Sequence, residues 1–421
     1  MCRAMHIPPM IRKSMSTRVP ATHSQAMDQD ERLRWLRERD DVALEPLWAQ
    51  ADAVRRATVG DAVHLRGLIE VGNVCVRACT YCGISVHNHK VGRYRMTRDD
   101  IVDCARRAVT LGFGTAVLQG GEDPGLSREL ISDCIRAIKA ETPLAVTLSL
   151  GERARGDLEA WHAAGADRYL LRFETSNREL FARIHPPPPG RRAPVDRIQL
   201  LRDLAAMGYQ AGSGVMVGIP GQTYTDLARD LEVFAELDLD MIGIGPWIPH
   251  PETPMVRDLA ESAAPGEQAR NDAMDTLKMV ALARLAVPDA NLPATTALAT
   301  LDKDQGRELA LTRGANVIMP NLTPPKYRAL YELYPDKACV NETAEECDGC
   351  LRGRVARIGR VIGVGRGTAR KNSRREVAGS RSSGVDCDDD ANCDGCEPTE
   401  KSRRTMAVSY THLTLPTNRE V

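Results

Sequence analysis

Three cysteines fall within eight residues: Cys75, Cys79 and Cys82 of "CVRACTYC", spaced Cys-x3-Cys-x2-Cys just after the apolar run "RGLIEVGN". Three thiols cannot all pair with one another, but at these spacings their thiolates can converge on one metal centre. A structural zinc ion wants four ligands, and His87 or His89 could supply the fourth. The alternative is a four-iron four-sulfur cluster held by only three cysteines, which leaves one iron open to a ligand from outside the chain.

Cysteine usage elsewhere points the same way. The chain has 12 cysteines and no secretory signal, so metal or redox roles are favoured over a disulfide framework. A second group, Cys339, Cys347 and Cys350 of "CVNETAEECDGC", again offers three ligands, and a third, Cys387, Cys393 and Cys396, partly repeats it in a low-complexity tail. Cys2 is isolated. Cys104 and Cys134 lie in helical patterns, where a small buried thiol is the ordinary role.

These residues need a scaffold, and the 421-residue chain with 43% apolar content can build one. From about residue 66 to 333 short β-rich runs alternate with amphipathic helical stretches, which implies parallel strands with crossover helices. The strand candidates are "LRGLIEVGN", "GTAVLQGG", "LAVTLSLG", "DRYLLRFET", "YQAGSGVMVG", "DMIGIGPW", "LPATTAL" and "ANVIMPN". Eight such units predict an α/β fold, a (β/α)8 TIM-type barrel with its reactive residues at the strand C-terminal ends. "CVRACTYC", "GGED", "LSLGE", "RFETSN", "PATTA" and "IMPN" all fall at such ends, whereas "TRDD" and "TYTDL" read as helix N-caps. The proline run of "IHPPPPGRRAPVDR", 184–197, must be a loop.

The expected organisation is a disordered leader over 1–29, N-terminal helices over 30–60, and the barrel over 61–335. A C-terminal cysteine-bearing segment with a helix follows over 336–370, then a low-complexity tail over 371–421. Met27 is a plausible true start, and the final "VSYTHLTLPTNREV" resembles translated adapter sequence and is set aside from fold reasoning. A net charge of −1 argues against a nucleic-acid or membrane surface, and no apolar run approaches the ~20 residues that span a bilayer. Small-molecule chemistry in the cytoplasm is the expectation.

With Tyr81 just before the last cysteine, "CVRACTYC" resembles the signature of radical S-adenosylmethionine (SAM) enzymes. That resemblance implies a 4Fe-4S cluster on Cys75, Cys79 and Cys82, with the open iron chelated by the amino and carboxylate groups of SAM. One-electron reduction then yields a 5′-deoxyadenosyl radical. "GGED", Gly120 to Asp123, matches the family's glycine-rich element for the methionine amino group, and the resemblance implies cofactor contacts from Gln119, Gly120, Gly121 and Glu122 of "QGGE".

More narrowly, ordered segments from about 60 to 352, among them "RYRMT", "VLQGGEDP", "GADRYLLRFETSN", "MVGIPGQT", "DMIGIGPWIPHPETP" and "YRALYELYP", resemble the HydE family of iron–iron hydrogenase maturases. The resemblance implies that Glu174 and Arg197 contact SAM; an acid suits an amino or ribose group and an arginine a carboxylate. It also implies an internal substrate pocket with Thr147, Ser149, Arg172, Thr295, Thr296, Met319 and Tyr331 in its lining. Hydroxyls and a guanidinium there suit an anionic substrate and Met319 excludes water, although Thr147 and Ser149 could merely fill a barrel layer. The implied substrate is a small-molecule iron complex, a cysteine-ligated iron dicarbonyl cyanide from which the hydrogenase H-cluster is assembled. Implied partners are the maturases HydG and HydF and an electron donor such as ferredoxin or flavodoxin. Cys339, Cys347 and Cys350 match an accessory iron–sulfur site, 2Fe-2S or 4Fe-4S, found in some members. Methylornithine synthase (PylB) shares several of these strand ends and is the alternative. Biotin synthase needs further cysteines inside the barrel, and none occurs between Cys134 and Cys339. A non-catalytic iron–sulfur or zinc protein is the alternative of a different class.

Overall fold

Strand β1 (Ala62–Gly72) is buried along almost its whole length: Val63, Leu65, Ile69 and Val71 pack into the hydrophobic core, while Arg66 and Glu70, on alternate positions, are buried among polar partners. A computed structural model describes residues 27–187, 193–257, 266–340 and 342–372. Cys2, Cys387, Cys393, Cys396, the leader before Met27 and the tail after Asn372 lie outside the described residues.

The remaining strands are β2 (Thr115–Gly120), β3 (Ala145–Ser149), β4 (Arg168–Leu170), β5 (Gln210–Val217), β6 (Met241–Pro246), β7 (Val317–Ile318) and β8 (Val361–Ile362). They form one sheet in the order β6-β5-β4-β3-β2-β1-β7, every pairing parallel, with β8 on β1. Helices follow the strands in alternation, so the α/β barrel expectation holds in kind.

Two details differ from that expectation. "LPATTAL" is not a strand: Asn291 and Pro293 make single bridges to Met241 and Val317, carrying the sheet from β6 across to β7. Pro293 has no N–H to donate, and two residues on Thr295 already caps the helix Thr296–Leu301. The other strand, β8, comes from the C-terminal segment and pairs Val361 with Ala62 and Ile362 with Val63.

Two sequence-level N-caps are present as full capping boxes, Thr97 with Asp100 and Thr223 with Asp226. Cys104 and Cys134 are buried in the core, as expected. The N-terminal helices Gln29–Arg37 and Asp41–Val59 pack on the helix Ala273–Ala286, whose buried Lys278 pairs with Asp275 at 2.8 Å and donates to Glu38 O at 2.9 Å. At the N-terminal end of the sheet, residues 365–368 lie across the strands. Arg66 donates to Gly367 O at 3.0 Å and Thr115 to Arg366 O at 2.9 Å. A side chain on Gly114 would strike Gly365 O at 1.7 Å, so that end is closed by backbone in contact with backbone. Chemistry is left to the other end.

Candidate active site

The cysteine loop begins where β1 ends, and polar clamps fix its path. Asn73 donates to Gly92 O and Leu330 O, both at 2.7 Å, and Arg93 reaches four loop carbonyls: Asn73 and Ile84 at 2.7 Å, Ser85 at 2.8 Å and Asn88 at 2.9 Å. The glycine-rich segment after β2 runs against this loop. Gly121 N–H donates to Gly72 O at 3.0 Å and Val76 N–H to Glu122 O at 2.9 Å. A Cβ on Gly121 would lie 2.2 Å from Val74 O and 2.9 Å from Cys75 Cβ, so the glycine is required by the cysteine loop itself.

One cavity gathers Cys75, Cys79, Cys82, Tyr81, Gln119, Gly120, Gly121, Glu122, Glu174 and Arg197. Of the expected substrate contacts, Ser149, Arg172 and Tyr331 share that cavity, with Tyr331 O–H 3.4 Å from Gln119 Nε2. Thr147, Thr295, Thr296 and Met319 are not among its lining residues. Thr147 is fully buried, its hydroxyl unpartnered, in a small gap beside Arg66 and Arg168. Thr295 donates to Ile244 O at 3.1 Å.

Charge in the cavity is paired across loops. Glu152, at the end of "LSLGE", accepts from Arg77 Nη1 at 2.9 Å on one oxygen and from Arg197 Nε at 2.8 Å on the other. Arg197 also donates to Arg172 O at 2.7 Å. Glu174 sits at φ 63, a costly conformation for a residue with a side chain, pinned by its N–H to Gly214 O at 3.1 Å and by Met216 N–H to its carbonyl at 3.1 Å. Its carboxylate lies 3.1 Å from Arg172 Nη2 and 3.4 Å from Tyr81 O–H. Arg77, Glu152 and His185 went unselected in the sequence. Arg77 sits between the cysteines and Glu152 closes a quoted motif, so position was an available signal; His185 gave only its place before the prolines. Burial holds the His185 imidazole neutral, well below its ordinary range.

Burial also pushes the Cys82 thiol up to about 12, and the Cys75 and Cys79 thiols above their ordinary range. Three thiolates here therefore call for strong positive charge between them. Among the described residues no group of three or more His, Cys, Asp or Glu is arranged around a single ion, and His87 and His89 are exposed, which disfavours the zinc reading. A multi-iron cluster, which spaces its ligands more widely, fits the set. Arg172 Nε is buried without a hydrogen-bond partner, and Glu174 Oε2 has only its ion pair with Arg172 Nη2, so the two side chains keep capacity for a ligand carrying both a carboxylate and an ammonium group.

In the second cysteine group, Cys339 and Cys347 are adjacent and Cys350 is exposed on the helix Ala344–Arg357. Both Arg307 Nη atoms lie 3.6 Å from Cys339 Sγ. The Cys347 hydrogen bond and the Arg307 charge push the Cys339 thiol well below its ordinary range.

The Radical SAM superfamily profile matches residues 69–234. The chain is 48% identical over 319 residues to the FeFe hydrogenase maturase subunit HydE of Thermotoga maritima, covering 76% of this chain and 87% of that one. Among solved structures, methylornithine synthase (PylB) superposes with TM-score 0.66 at 22% identity, covering 83% of this chain and 96% of that one. HydG, a maturase of the FeFe hydrogenase, superposes with TM-score 0.67 at 18% identity, covering 85% and 77%. Fold and cysteine loop together define a radical SAM enzyme, a class that uses a 4Fe-4S cluster and SAM. Within that class, the chain belongs to the HydE family. Among the described residues no helix is long and apolar enough to cross a membrane.

Proposed function

We propose that this chain is a radical SAM maturase that acts on a cysteine-ligated iron carbonyl cyanide precursor during assembly of the iron–iron hydrogenase H-cluster. The reading is carried by one observation: the three cysteines share a cavity with "QGGE", Glu174 and Arg197 in a chain nearly half identical to a HydE. When bound, the cluster and SAM supply one-electron reductive cleavage of the sulfonium and a 5′-deoxyadenosyl radical.

In this proposal Cys75, Cys79 and Cys82 ligate the cluster. Arg197 takes the SAM carboxylate, and Glu174 takes its amino group or ribose hydroxyls. Tyr81, Gln119, Gly120, Gly121 and Glu122 frame the same ligand. Ser149, Arg172 and Tyr331 face the substrate, while Leu171, Met216 and Trp247 on the cavity wall exclude water that would quench a radical. Thr295, Thr296 and Met319 are proposed to complete the substrate end, and Thr147 to fill a barrel layer beside Arg66 and Arg168. Cys339, Cys347 and Cys350 are proposed to hold an accessory iron–sulfur cluster, with the Arg307 guanidinium offsetting thiolate charge. HydG as source of the substrate, HydF as a further partner maturase and a ferredoxin or flavodoxin as donor complete the proposal. So does the barrel over 61–335 as the catalytic body, with the helices over 30–60 and the cysteine-bearing segment from 336 packed on it.

The test is anaerobic reconstitution followed by an assay for 5′-deoxyadenosine. The wild-type chain is expected to form it, and Cys79→Ser to abolish it; persistence in Cys79→Ser, or conversion of lysine to 3-methylornithine by the wild type, overturns the reading.

A further inference from the structure

We infer that His185 tunes the iron–sulfur centre through a hydrogen bond to the Cys79 sulfur, and that the same ring frees Glu174 for its ligand. The inference rests on the cluster reading above. His185 follows the short helix Arg178–Ile184 and is 2% exposed. Its ring stacks on Phe181, centroids 5.0 Å apart, and meets Tyr81 edge-on at 5.4 Å. The backbone beside it is tied to the cysteine loop, since Thr80 N–H donates to Ile184 O at 3.0 Å. Such a wedge leaves the imidazole one orientation.

In that orientation Nδ1 lies 3.2 Å from Cys79 Sγ and 3.4 Å from Arg197 Nη2, and Nε2 lies 2.8 Å from Tyr81 O–H. Arg197 only donates, and without a cluster Nδ1 is free to accept from it; a sulfur that ligates iron is a thiolate that only accepts, so with the cluster bound the shorter Cys79 contact puts the ring proton on Nδ1 and releases Arg197 Nη2 to its own ligand. Nε2 is then the acceptor, and it takes the only proton Tyr81 has. Glu174 Oε1, 3.4 Å from the same phenol, is left to accept from a bound ligand instead. The ring therefore links the state of Cys79 to the availability of Glu174.

Hydrogen bonds to ligating sulfurs set cluster potentials, because they stabilise the reduced, more negative form. His185 touches a ligand and not the reacting atoms, so it is a positioning residue. No bond forms or breaks at His185.

The experiment is a redox titration of the anaerobically reconstituted full chain, followed by electron paramagnetic resonance. The reporting signal is the one lost in Cys79→Ser. His185→Phe keeps the stacked ring and removes both nitrogens. It is expected to lower the midpoint potential, with about a tenfold fall in the reduced-to-oxidised ratio at fixed potential, ~59 mV for one electron. His185→Asn, whose amide can donate from near the Nδ1 position, is expected to restore the wild-type value, and His185→Gln is not. An unchanged potential in His185→Phe at full iron content overturns the inference. Equal shifts in the Asn and Gln variants overturn it too, and this pair decides the matter if the Phe variant holds no cluster. A wild-type signal indifferent to SAM counts against the catalytic reading alone, since the His185 shift is still read on that cluster.

Discussion

Arg197 donates from Nε to Glu152 Oε1 over 2.8 Å, although Glu152 sits in the loop after β3 and Arg197 opens the helix Arg197–Ala206. The other Glu152 oxygen takes Arg77 from the cysteine loop, at 2.9 Å. One carboxylate thus sets the distance between the cysteine loop and the arginine proposed to hold SAM. All three side chains are almost fully buried. Glu152→Gln leaves one buried guanidinium without its anion and is expected to cost about 3 kcal/mol in denaturant unfolding. It is also expected to weaken SAM binding while leaving secondary structure intact. Unfolding at the wild-type denaturant midpoint contradicts the shared-carboxylate role.

The two glycines of "QGGE" are expected to differ in consequence. A Cβ on Gly121 meets backbone at 2.2 Å, whereas on Gly120 the nearest atom is a Val71 methyl at 3.2 Å, which can give way. Gly121→Ala is therefore expected to displace the cysteine loop and lose most of the cluster iron, and Gly120→Ala to retain most of it. Iron and sulfide analysis of the reconstituted proteins checks this. Equal retention contradicts the packing argument.

Asp230 gives a pH dependence. Burial pushes its carboxyl up to about 8, even though it accepts Ser176 N–H at 2.6 Å and so anchors the loop after Glu174. The unfolded chain releases this proton near pH 4. Between about pH 4 and pH 8 the folded state holds a proton that the unfolded state has lost, so stability falls as pH rises, by up to about 1.4 kcal/mol per pH unit. Asp230→Asn cannot ionise. Its melting temperature is expected to exceed the wild type at pH 9, with the gap closing as pH falls towards 4. A gap independent of pH contradicts the assignment.

Much of this was legible in the sequence because strand-end motifs carry both periodicity and chemistry. The six strands from "LRGLIEVGN" to "DMIGIGPW" lie where alternating apolar runs placed them. "LPATTAL" misled because a proline and a helix cap shared an otherwise strand-like run. β8 gave no signal at two residues long, with Val361 exposed. Thr147 shows a different limit: period-two alternation tells which way a strand residue points, but not how far along the barrel it sits. For His185, whose importance comes from the packing of Phe181, Tyr81 and Cys79 around it, local sequence offered little.

The proposed open iron site is tested most directly by electron paramagnetic resonance of the reduced, reconstituted chain before and after SAM is added. A change on SAM addition in a signal that Cys79→Ser loses is the result expected of a three-cysteine cluster with one open iron. A colourless zinc protein, or a cluster signal that SAM leaves unchanged, contradicts it.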